Sequence, residues 1–301
     1  MRTRFIASGD GKRLRVGTWD AAPGVQPRGF CAILDGQTEF IEKYGEVTAE
    51  LAARGFAGAI LDWRGQGGST RLVADPLKAH VGDFSEYDAD LAAFMEQVVR
   101  PAKVVAPLAL AHSMGAHILL RALYRNPAIF SAAVMTAPML RTHTRGNPRW
   151  LVQAICTVHC RTGLADEWVW GMDARDPLRV PFEDNLVTSD RERFARVRVF
   201  LSEHPEIRLA GPSWRWLEAA CHSMTQLEAP GLAEAITTPC LIFGAGRDRI
   251  VETQAIRDFV PRLPHARYIE IPEAEHEILM ENDSIRDKFW SAFDTFVDVT
   301  A

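Results

Sequence analysis

A short apolar segment that ends at a serine and continues as a helical pattern constrains the fold of this chain more than any other feature. Residues 108–110 form an apolar run, residues 111–115 read AHSMG, and apolar side chains then recur at helical spacing. A strand, a sharp turn and a helix with a serine at the apex form the setting in which a G-x-S-x-G motif presents a nucleophile. The sequence therefore predicts a nucleophile elbow at Ser113.

The residues two before and two after this serine must be small, because the turn brings them against neighbouring backbone. Gly115 meets this requirement, and Ala111 departs from the motif's first glycine by a single methyl group. Serine is also a frequent N-cap of helices, where its hydroxyl accepts a backbone N–H. The motif by itself therefore leaves a purely structural role for Ser113 open.

Apolar runs of strand length alternate with helical patterns on both sides of the elbow. The predicted strands are 4–8, 13–19, 30–34, 56–61, 104–110, 130–136, 240–243 and 266–271. Apolar spacing predicts helices over 39–54, from an N-cap at Ser85, over 256–263 and over 284–298. This alternation favours an α/β fold with a mostly parallel central sheet that helices cover on both faces.

The alternation stops over residues 139–230, which are helix-like, contain several prolines and include five of the eight tryptophans. We therefore expect a core formed by 1–138 and 231–301, with 139–230 inserted as a helical cap. Most of these tryptophans are expected to pack in the interior, although one or two could line a pocket for an apolar group.

Composition excludes several classes of function. The formal net charge is -5 and no dense Lys/Arg cluster occurs, which argues against a nucleic-acid partner. The five cysteines form no C-x-x-C pair, so neither a zinc ribbon nor a disulfide framework is indicated. Cys156, His159 and Cys160 could share part of a helix face, but a fourth metal ligand is not apparent. We expect no metal and no cofactor.

The amino-terminal residues MRTRFIASGDGKRL lack the apolar region of a secretion signal. No apolar run reaches the length of about 20 residues that spans a bilayer. A cytoplasmic setting is therefore the expectation, and the sequence leaves the oligomeric state open.

Polar residues follow several of the predicted strands, at the edge where open parallel sheets collect functional groups. Asp248 follows the strand at 240–243 and His276 follows the strand at 266–271. With Ser113 they occur in the order Ser, Asp, His, which is the order of α/β-hydrolases. The sequence therefore predicts a triad in which His276 removes the serine proton, Asp248 orients the imidazole, and the backbone N–H groups of Gln37 and Met114 bind the oxyanion.

Each triad member also has a simpler interpretation. Asp248 lies between Arg247 and Arg249 and could be a solvated ion pair. His276 lies among three glutamates and could be a surface histidine. The order of the three residues, each after a separate predicted strand, favours the catalytic interpretation.

Four longer motifs resemble the bacterial lysophospholipase L2 family, which is similar to the monoacylglycerol lipases within the α/β-hydrolases. The motifs are DGQTEFIEKY at 35–44, DWRGQGGS at 62–69, HSMG at 112–115 and AEHEIL at 274–279. Two runs of the insertion, TSDRERF at 188–194 and GPSWRWL at 211–217, also look like this family. The resemblance covers nearly the whole chain.

The resemblance implies an α/β-hydrolase fold and a carboxylic-ester hydrolase for monoacyl lipids, with the cap over an acyl pocket. It implies the same triad and oxyanion donors, and contact between the cap and a membrane is compatible with such a substrate. Asp35 departs from the family, because the related lipases have histidine there. The alternatives are a monoacylglycerol lipase, a short-chain carboxylesterase, or a non-catalytic α/β-hydrolase that binds a small ligand.

Overall fold

The computed structural model of the chain describes residues 1–102 and 106–300. Eight strands form the central sheet, in the order β1-β2-β4-β3-β6-β7-β9-β10. Their bounds are Arg2–Ala7 (β1), Arg13–Trp19 (β2), Gly29–Leu34 (β3), Phe56–Leu61 (β4), Leu108–His112 (β6), Ala132–Thr136 (β7), Cys240–Ala245 (β9) and Ala266–Ile271 (β10). Among the described strands of this sheet, the pairs β1–β2 and β2–β4 are antiparallel and the other neighbouring pairs are parallel. The prediction of a mostly parallel sheet is confirmed, while the predicted strand start at Val104 lies outside the described residues.

Helices cover both faces of this sheet. The α-helices of the described residues are Gly45–Ala53 (α1), Ser85–Phe94 (α2), Ser113–Arg125 (α3), Arg149–Arg161 (α4), Arg191–Glu203 (α5), Trp214–Leu227 (α6), Thr253–Phe259 (α7) and Asp283–Thr300 (α8). Two residues, Lys78–Ala79 (β5), pair separately with Gly211–Pro212 (β8). Among the described residues, none of the helices combines the length and the apolar composition of a membrane span.

Alternate side chains of each strand enter two separate apolar cores, as the two-residue period of a strand requires. In β3, Cys31 and Ile33 belong to the core that α1 and α8 cover. Ala32 and Leu34 belong to the core on the opposite face, with residues of α2, α3, α6 and α7. Both faces of the central strands are therefore buried, which explains their continuous apolar sequences.

Two predicted helix starts are wrong. Ser85 does not cap α2; its backbone N–H donates to the carboxylate of Asp83 at 2.8 Å, while the Glu86 carboxylate accepts from the N–H groups of Gly82 and Asp83. The helix predicted from residue 39 begins later, with a 3₁₀ turn at Ile41–Tyr44 before α1. The Ile41 N–H instead donates to Asp62 at 2.9 Å, a contact between distant parts of the chain.

Helices α4, α5 and α6 lie between β7 and β9, where the sequence predicts an inserted cap. The boundaries 139 and 230 stay predictions. Trp214 and Trp216 are buried, but Trp150 and Trp170 are 68% and 66% exposed. The expectation of interior packing is therefore wrong for those two tryptophans.

Candidate active site

Ser113 stands at the junction of β6 and α3 with a φ of +48°, a left-handed conformation that is strained for a serine. Gly115 lies against the backbone of the neighbouring turn, since a Cβ placed there would be 2.1 Å from the carbonyl oxygen of Leu34. Ala111 is buried in β6, and its methyl group belongs to an apolar core. The local geometry is that of the predicted elbow.

The sheet brings the other two predicted triad residues to Ser113. The Nε2 atom of His276 lies 2.9 Å from the Ser113 Oγ, and its Nδ1 atom lies 2.7 Å from Oδ2 of Asp248. The other carboxylate oxygen of Asp248 accepts the N–H groups of Ile250 and Val251, both at 2.8 Å. The Asp248 side chain is fully buried and that of His276 is 5% exposed. Neither residue has the exposed setting that its simpler interpretation requires.

The two buried groups His276 and Asp248 shift each other's pKa values in opposite directions. Burial opposes the charged form of the imidazole, but the charge and hydrogen bond of Asp248, with the charges of Glu277 and Glu39, together outweigh it, so the pKa of His276 is raised. Burial also raises the pKa of Asp248, yet the charge and hydrogen bond of His276 together with two backbone N–H groups leave it below its usual value. Asp248 is thus held as an anion beside a base whose protonated form it stabilises.

The predicted oxyanion donors come from two neighbouring elements. Strands β3 and β6 pair directly, so the turn after β3 lies beside the elbow. Met114 is in the first turn of α3, where backbone N–H groups have no acceptor within the helix. Gln37 lies in the turn after β3 and is followed by Thr38, which has a φ of +63°. These positions allow two main-chain donors to face one oxygen.

A buried ionic network adjoins the triad, and the sequence reasoning assigned it no role. The Lys43 ammonium lies 2.9 Å from the Glu39 carboxylate and 2.6 Å from that of Glu277. The Tyr44 hydroxyl also donates to Glu39, at 2.7 Å. Glutamate and lysine four residues apart are a visible signal for a helical pair. Burial and the third partner, from the loop that carries His276, were not visible in the sequence.

Glu39, His112 and Glu277 place one possible metal-ligating atom each within 4.8 Å of one another. The Lys43 ammonium already provides positive charge to both carboxylates, so a lysine side chain takes the role that a metal ion would have. Within the described part of the chain, Cys156, His159 and Cys160 do not bring three possible ligand atoms within this distance of one another. The His159 ring instead stacks on Trp214.

Asp35, the residue that departs from the related lipases, is fully buried at the carboxyl end of β3. In the part of the chain that the structure describes, neither of its carboxyl oxygens has a hydrogen-bond partner. Burial, with the nearby charges of Asp62 and Glu39, raises its pKa well above the usual value. The surroundings of this carboxyl group therefore favour its protonated, uncharged form over the carboxylate.

Access to the serine is narrow in this conformation. Ser113 is 7% exposed. A surface cavity of about 240 Å³ lies between Phe40, Lys43 and residues of α5, and Ser113 is not part of its lining. This cavity is therefore separate from the position where a nucleophile could attack.

Comparison with known proteins agrees with this fold. A family model described as serine aminopeptidase, S33, matches residues 25–283. The chain is 34% identical over 261 residues to lysophospholipase L2 of Escherichia coli (strain K12), covering 84% of this chain and 76% of that protein. It is 27% identical over 272 residues to the probable lysophospholipase L2 of Haemophilus influenzae, covering 90% and 84% of the two chains.

Among solved structures, the fold matches a soluble variant of monoglyceride lipase from Saccharomyces cerevisiae with a TM-score of 0.77. The two chains are 19% identical, and the match covers 99% of this chain and 95% of the other. The predicted α/β-hydrolase fold and the predicted family resemblance are confirmed.

Proposed function

Because this chain belongs to the serine aminopeptidase S33 family of α/β-hydrolases and to the lysophospholipase L2 relatives within it, we propose that it hydrolyses the carboxylic ester of monoacyl lipids. The observation that carries the proposal is the continuous hydrogen-bonded chain from Ser113 through His276 to Asp248, with contacts of 2.9 and 2.7 Å. The substrate class follows from the relatives that are named lysophospholipase L2.

The first chemical step is the attack of the Ser113 Oγ on the ester carbonyl carbon. Nε2 of His276 takes the hydroxyl proton, and Asp248 fixes the tautomer through Nδ1 and stabilises the imidazolium. The carbonyl oxygen becomes an oxyanion between the N–H groups of Met114 and Gln37, and each such donor contributes about 3 kcal/mol to the transition state. His276 then protonates the leaving alcohol, and an acyl-Ser113 intermediate remains.

Hydrolysis of this intermediate repeats the same steps with water. His276 removes a proton from a water molecule, the oxygen attacks the acyl carbon, and the second oxyanion occupies the same pair of donors. Collapse releases the fatty acid and returns the proton to Ser113. These residues supply a nucleophile, a base and an electrophilic site, so the mechanism requires neither a metal ion nor an organic cofactor.

The proposed acyl site lies under the cap of residues 139–230. Its helices α4, α5 and α6 leave the sheet after β7 and return before β9, so the insertion leaves and rejoins the sheet at neighbouring strands. Because Ser113 is 7% exposed, an acyl chain reaches it only if side chains or cap elements move. A protein whose nucleophile is covered in this way favours substrates whose binding energy compensates for that movement.

Labelling with a fluorophosphonate probe tests the nucleophile. We expect the native protein to be labelled and Ser113→Ala to lose labelling while it unfolds at a similar temperature. Ser223→Ala is a matched control, because Ser223 is also buried and its Oγ is also within hydrogen-bond distance of a histidine Nε2, that of His117 at 2.7 Å. Labelling that persists in Ser113→Ala, or a folded native protein without labelling, would favour a non-catalytic ligand binder.

Hydrolysis of lysophosphatidylcholine, a monoacylglycerol and p-nitrophenyl esters of increasing chain length tests the substrate class. The proposal expects kcat/KM to rise with acyl length and lysophosphatidylcholine to exceed the monoacylglycerol. A higher kcat/KM for the monoacylglycerol than for lysophosphatidylcholine would identify the protein as a monoacylglycerol lipase. Activity confined to the shortest esters would assign a general carboxylesterase.

We further propose that the cap contacts the lipid surface that holds the substrate. Trp150 and Val158 are exposed on α4, and Leu164 and Trp170 are exposed in the segment after it. Co-sedimentation with phospholipid vesicles should weaken in the double variant Trp150→Ala and Trp170→Ala but not in Tyr124→Ala, which removes an exposed aromatic outside the cap. Equal sedimentation of all three proteins would contradict this contact. A cytoplasmic location stays a prediction.

A further inference from the structure

Two successive peptide units form the turn after β3, and each has its own hydrogen-bond partners. In the unit between Asp35 and Gly36, the carbonyl oxygen accepts from Nε1 of Trp63 at 2.9 Å. The N–H of the same unit donates to the Glu39 carboxylate at 2.5 Å. Both ends of this first unit are therefore fixed by side chains.

The second peptide unit, between Gly36 and Gln37, is held at one end only. Its carbonyl oxygen accepts from the side-chain amide Nε2 of Gln66 at 2.7 Å. Its N–H, the predicted oxyanion donor, has no hydrogen-bond acceptor among the residues that the structure describes. In a planar trans peptide the C=O and N–H point in opposite directions. A partner on the carbonyl oxygen thus sets the direction of the free N–H.

We propose that Gln66 is a positioning residue for catalysis, which holds the Gly36–Gln37 peptide so that the Gln37 N–H faces the oxyanion. This inference rests on the proposed function, because it needs an oxyanion to be formed at Ser113. Gln66 itself touches neither the substrate nor the reacting atoms; it acts through the carbonyl oxygen of Gly36.

The surroundings of Gln66 suit such a role. Gln66 is 2% exposed, so water does not compete for the hydrogen bond of its side-chain amide. The glycine-rich loop after β4 that carries it is itself tied down, since the N–H of Gly68 donates to Asp62 at 2.7 Å. The same Asp62 accepts the N–H of Ile41, just beyond the oxyanion turn. The loop and the turn are thus held in one fixed relation.

The turn requires an external restraint because its own backbone is not in a relaxed conformation. Thr38 has a φ of +63°, and such residues persist only when surrounding contacts hold them. Without the Gln66 hydrogen bond, the Gly36–Gln37 peptide can rotate, and glycine at one end permits a wide range of φ and ψ. A rotated peptide directs its carbonyl oxygen towards the oxyanion and repels it.

The test uses Gln66→Met, which keeps the length of the side chain and removes the N–H donor. We expect kcat for a p-nitrophenyl ester to fall by about 100- to 1000-fold, as after the loss of one oxyanion donor, while KM changes little. The affinity for a trifluoromethyl ketone, which forms an oxyanion on Ser113, should fall by the same factor as kcat. Gln254→Met, an exposed glutamine on α7, is the matched control and should retain native kinetics.

A second variant, Gln66→His, retains an N–H donor of comparable reach. It should recover kcat to within about tenfold of the native value, because a weakened hydrogen bond to the Gly36 carbonyl oxygen still sets the direction of the peptide. This variant also provides the test if Gln66→Met does not fold. A folded Gln66→Met with kcat within threefold of native, a loss confined to KM, or a Gln66→His that loses as much as the methionine variant overturns the proposal.

Failure of this inference is distinguishable from failure of the proposed function. If the native protein neither reacts with fluorophosphonate nor hydrolyses esters, the proposed function fails and Gln66 has no oxyanion to serve. If the native protein is active and Gln66→Met matches it in kcat and in trifluoromethyl ketone affinity, only the role of Gln66 fails.

Discussion

Lys43 and Glu277, 234 residues apart in the chain, form a buried ion pair with 2.6 Å between Nζ and Oε1. Glu277 directly follows His276, so this pair connects the loop of the proposed catalytic base to the segment after β3. Lys43 also pairs with Glu39, whose carboxylate accepts the N–H of Gly36. One ammonium group thus joins the histidine loop to the oxyanion turn.

Replacement of Lys43 by methionine should destabilise the fold strongly. The substitution leaves the buried carboxylates of Glu39 and Glu277 without a counter-charge, and breaking a buried pair on one side costs about 3–5 kcal/mol. Urea unfolding measures the loss. Lys288→Met is the control, because the Lys288–Glu273 pair is exposed and contributes at most about 1 kcal/mol. Equal small losses in both variants would contradict a structural role of the buried pair.

The pH dependence of kcat/KM should report the raised pKa of His276. The base must be neutral to accept the serine proton, so activity is present above this pKa and is lost as the pH falls through it. The fall of kcat/KM at low pH, the acid limb of the profile, is therefore expected to have its midpoint above the ordinary histidine pKa of about 6.5. Burial opposes the shift, while Asp248 and then Glu277 produce it.

Glu277→Gln should move that acid limb to lower pH, because it removes one negative charge that stabilises the imidazolium. Glu273→Gln, a partly exposed glutamate in the same loop, should leave the limb in place. The measurement is a set of kcat/KM values from pH 5 to 9, a range of about four units around the histidine pKa. If the apparent pKa of the acid limb is the same in Glu277→Gln and in the native protein, the charge of Glu277 does not affect the pKa of His276.

Asp248→Asn should retain the fold and lose most of the activity. An asparagine oxygen can still accept the N–H groups of Ile250 and Val251, but its amide favours the wrong tautomer of His276. The expected fall in kcat is about 10⁴-fold. Asp258→Asn on α7 serves as the control. Near-native turnover in Asp248→Asn would remove Asp248 from the proposed triad.

The elbow should tolerate glycine at position 111 and reject alanine at position 115. In Gly115→Ala the new Cβ meets the carbonyl oxygens of Leu34 and Asp35 at 2.1 and 2.4 Å, so we expect a loss of about 3 kcal/mol from overpacking and a distorted serine. Ala111→Gly restores the motif's glycine within a strand and should lose about 1 kcal/mol. Calorimetry and ester turnover of both variants provide the comparison, and equal tolerance would contradict the close approach at Gly115.

Asp35→Asn should stabilise the protein more at pH 8 than at pH 5. A carboxyl group with a raised folded pKa keeps a proton that the unfolded chain releases. The free energy of unfolding therefore falls as the pH rises above the ordinary value of 3.8 towards the folded pKa. Asparagine does not titrate, so its variant lacks this fall. Urea unfolding at both pH values measures the difference, and Asp166→Asn, which is 72% exposed, should show none.

Local patterns were most reliable where a strict steric or apolar requirement acts over a few residues. The strand from 30 to 34 and the elbow at Ser113 were predicted because burial on both faces and small neighbours leave few alternatives. The cap at Ser85 was wrong because α2 already includes Ser85, whose own N–H donates to the Asp83 carboxylate. The exposure of Trp150 was missed because its apolar spacing does not reveal which helix face lacks a partner.

By itself, the sequence determined the alternating α/β order, the serine at a strand-to-helix turn, and the order of the three candidate residues along the chain. Only the tertiary structure decided that Ser113 and His276, separated by 163 residues, lie within hydrogen-bond distance. It also decided that the carboxyl oxygens of Asp35 have no hydrogen-bond partner among the described residues and that Gln66 donates to the Gly36 carbonyl oxygen. Steric and burial requirements that act between residues close in the chain produce periodic patterns that can be seen in the sequence. Desolvation and long-range hydrogen bonds depend on which distant segments pack together, and no local pattern encodes that.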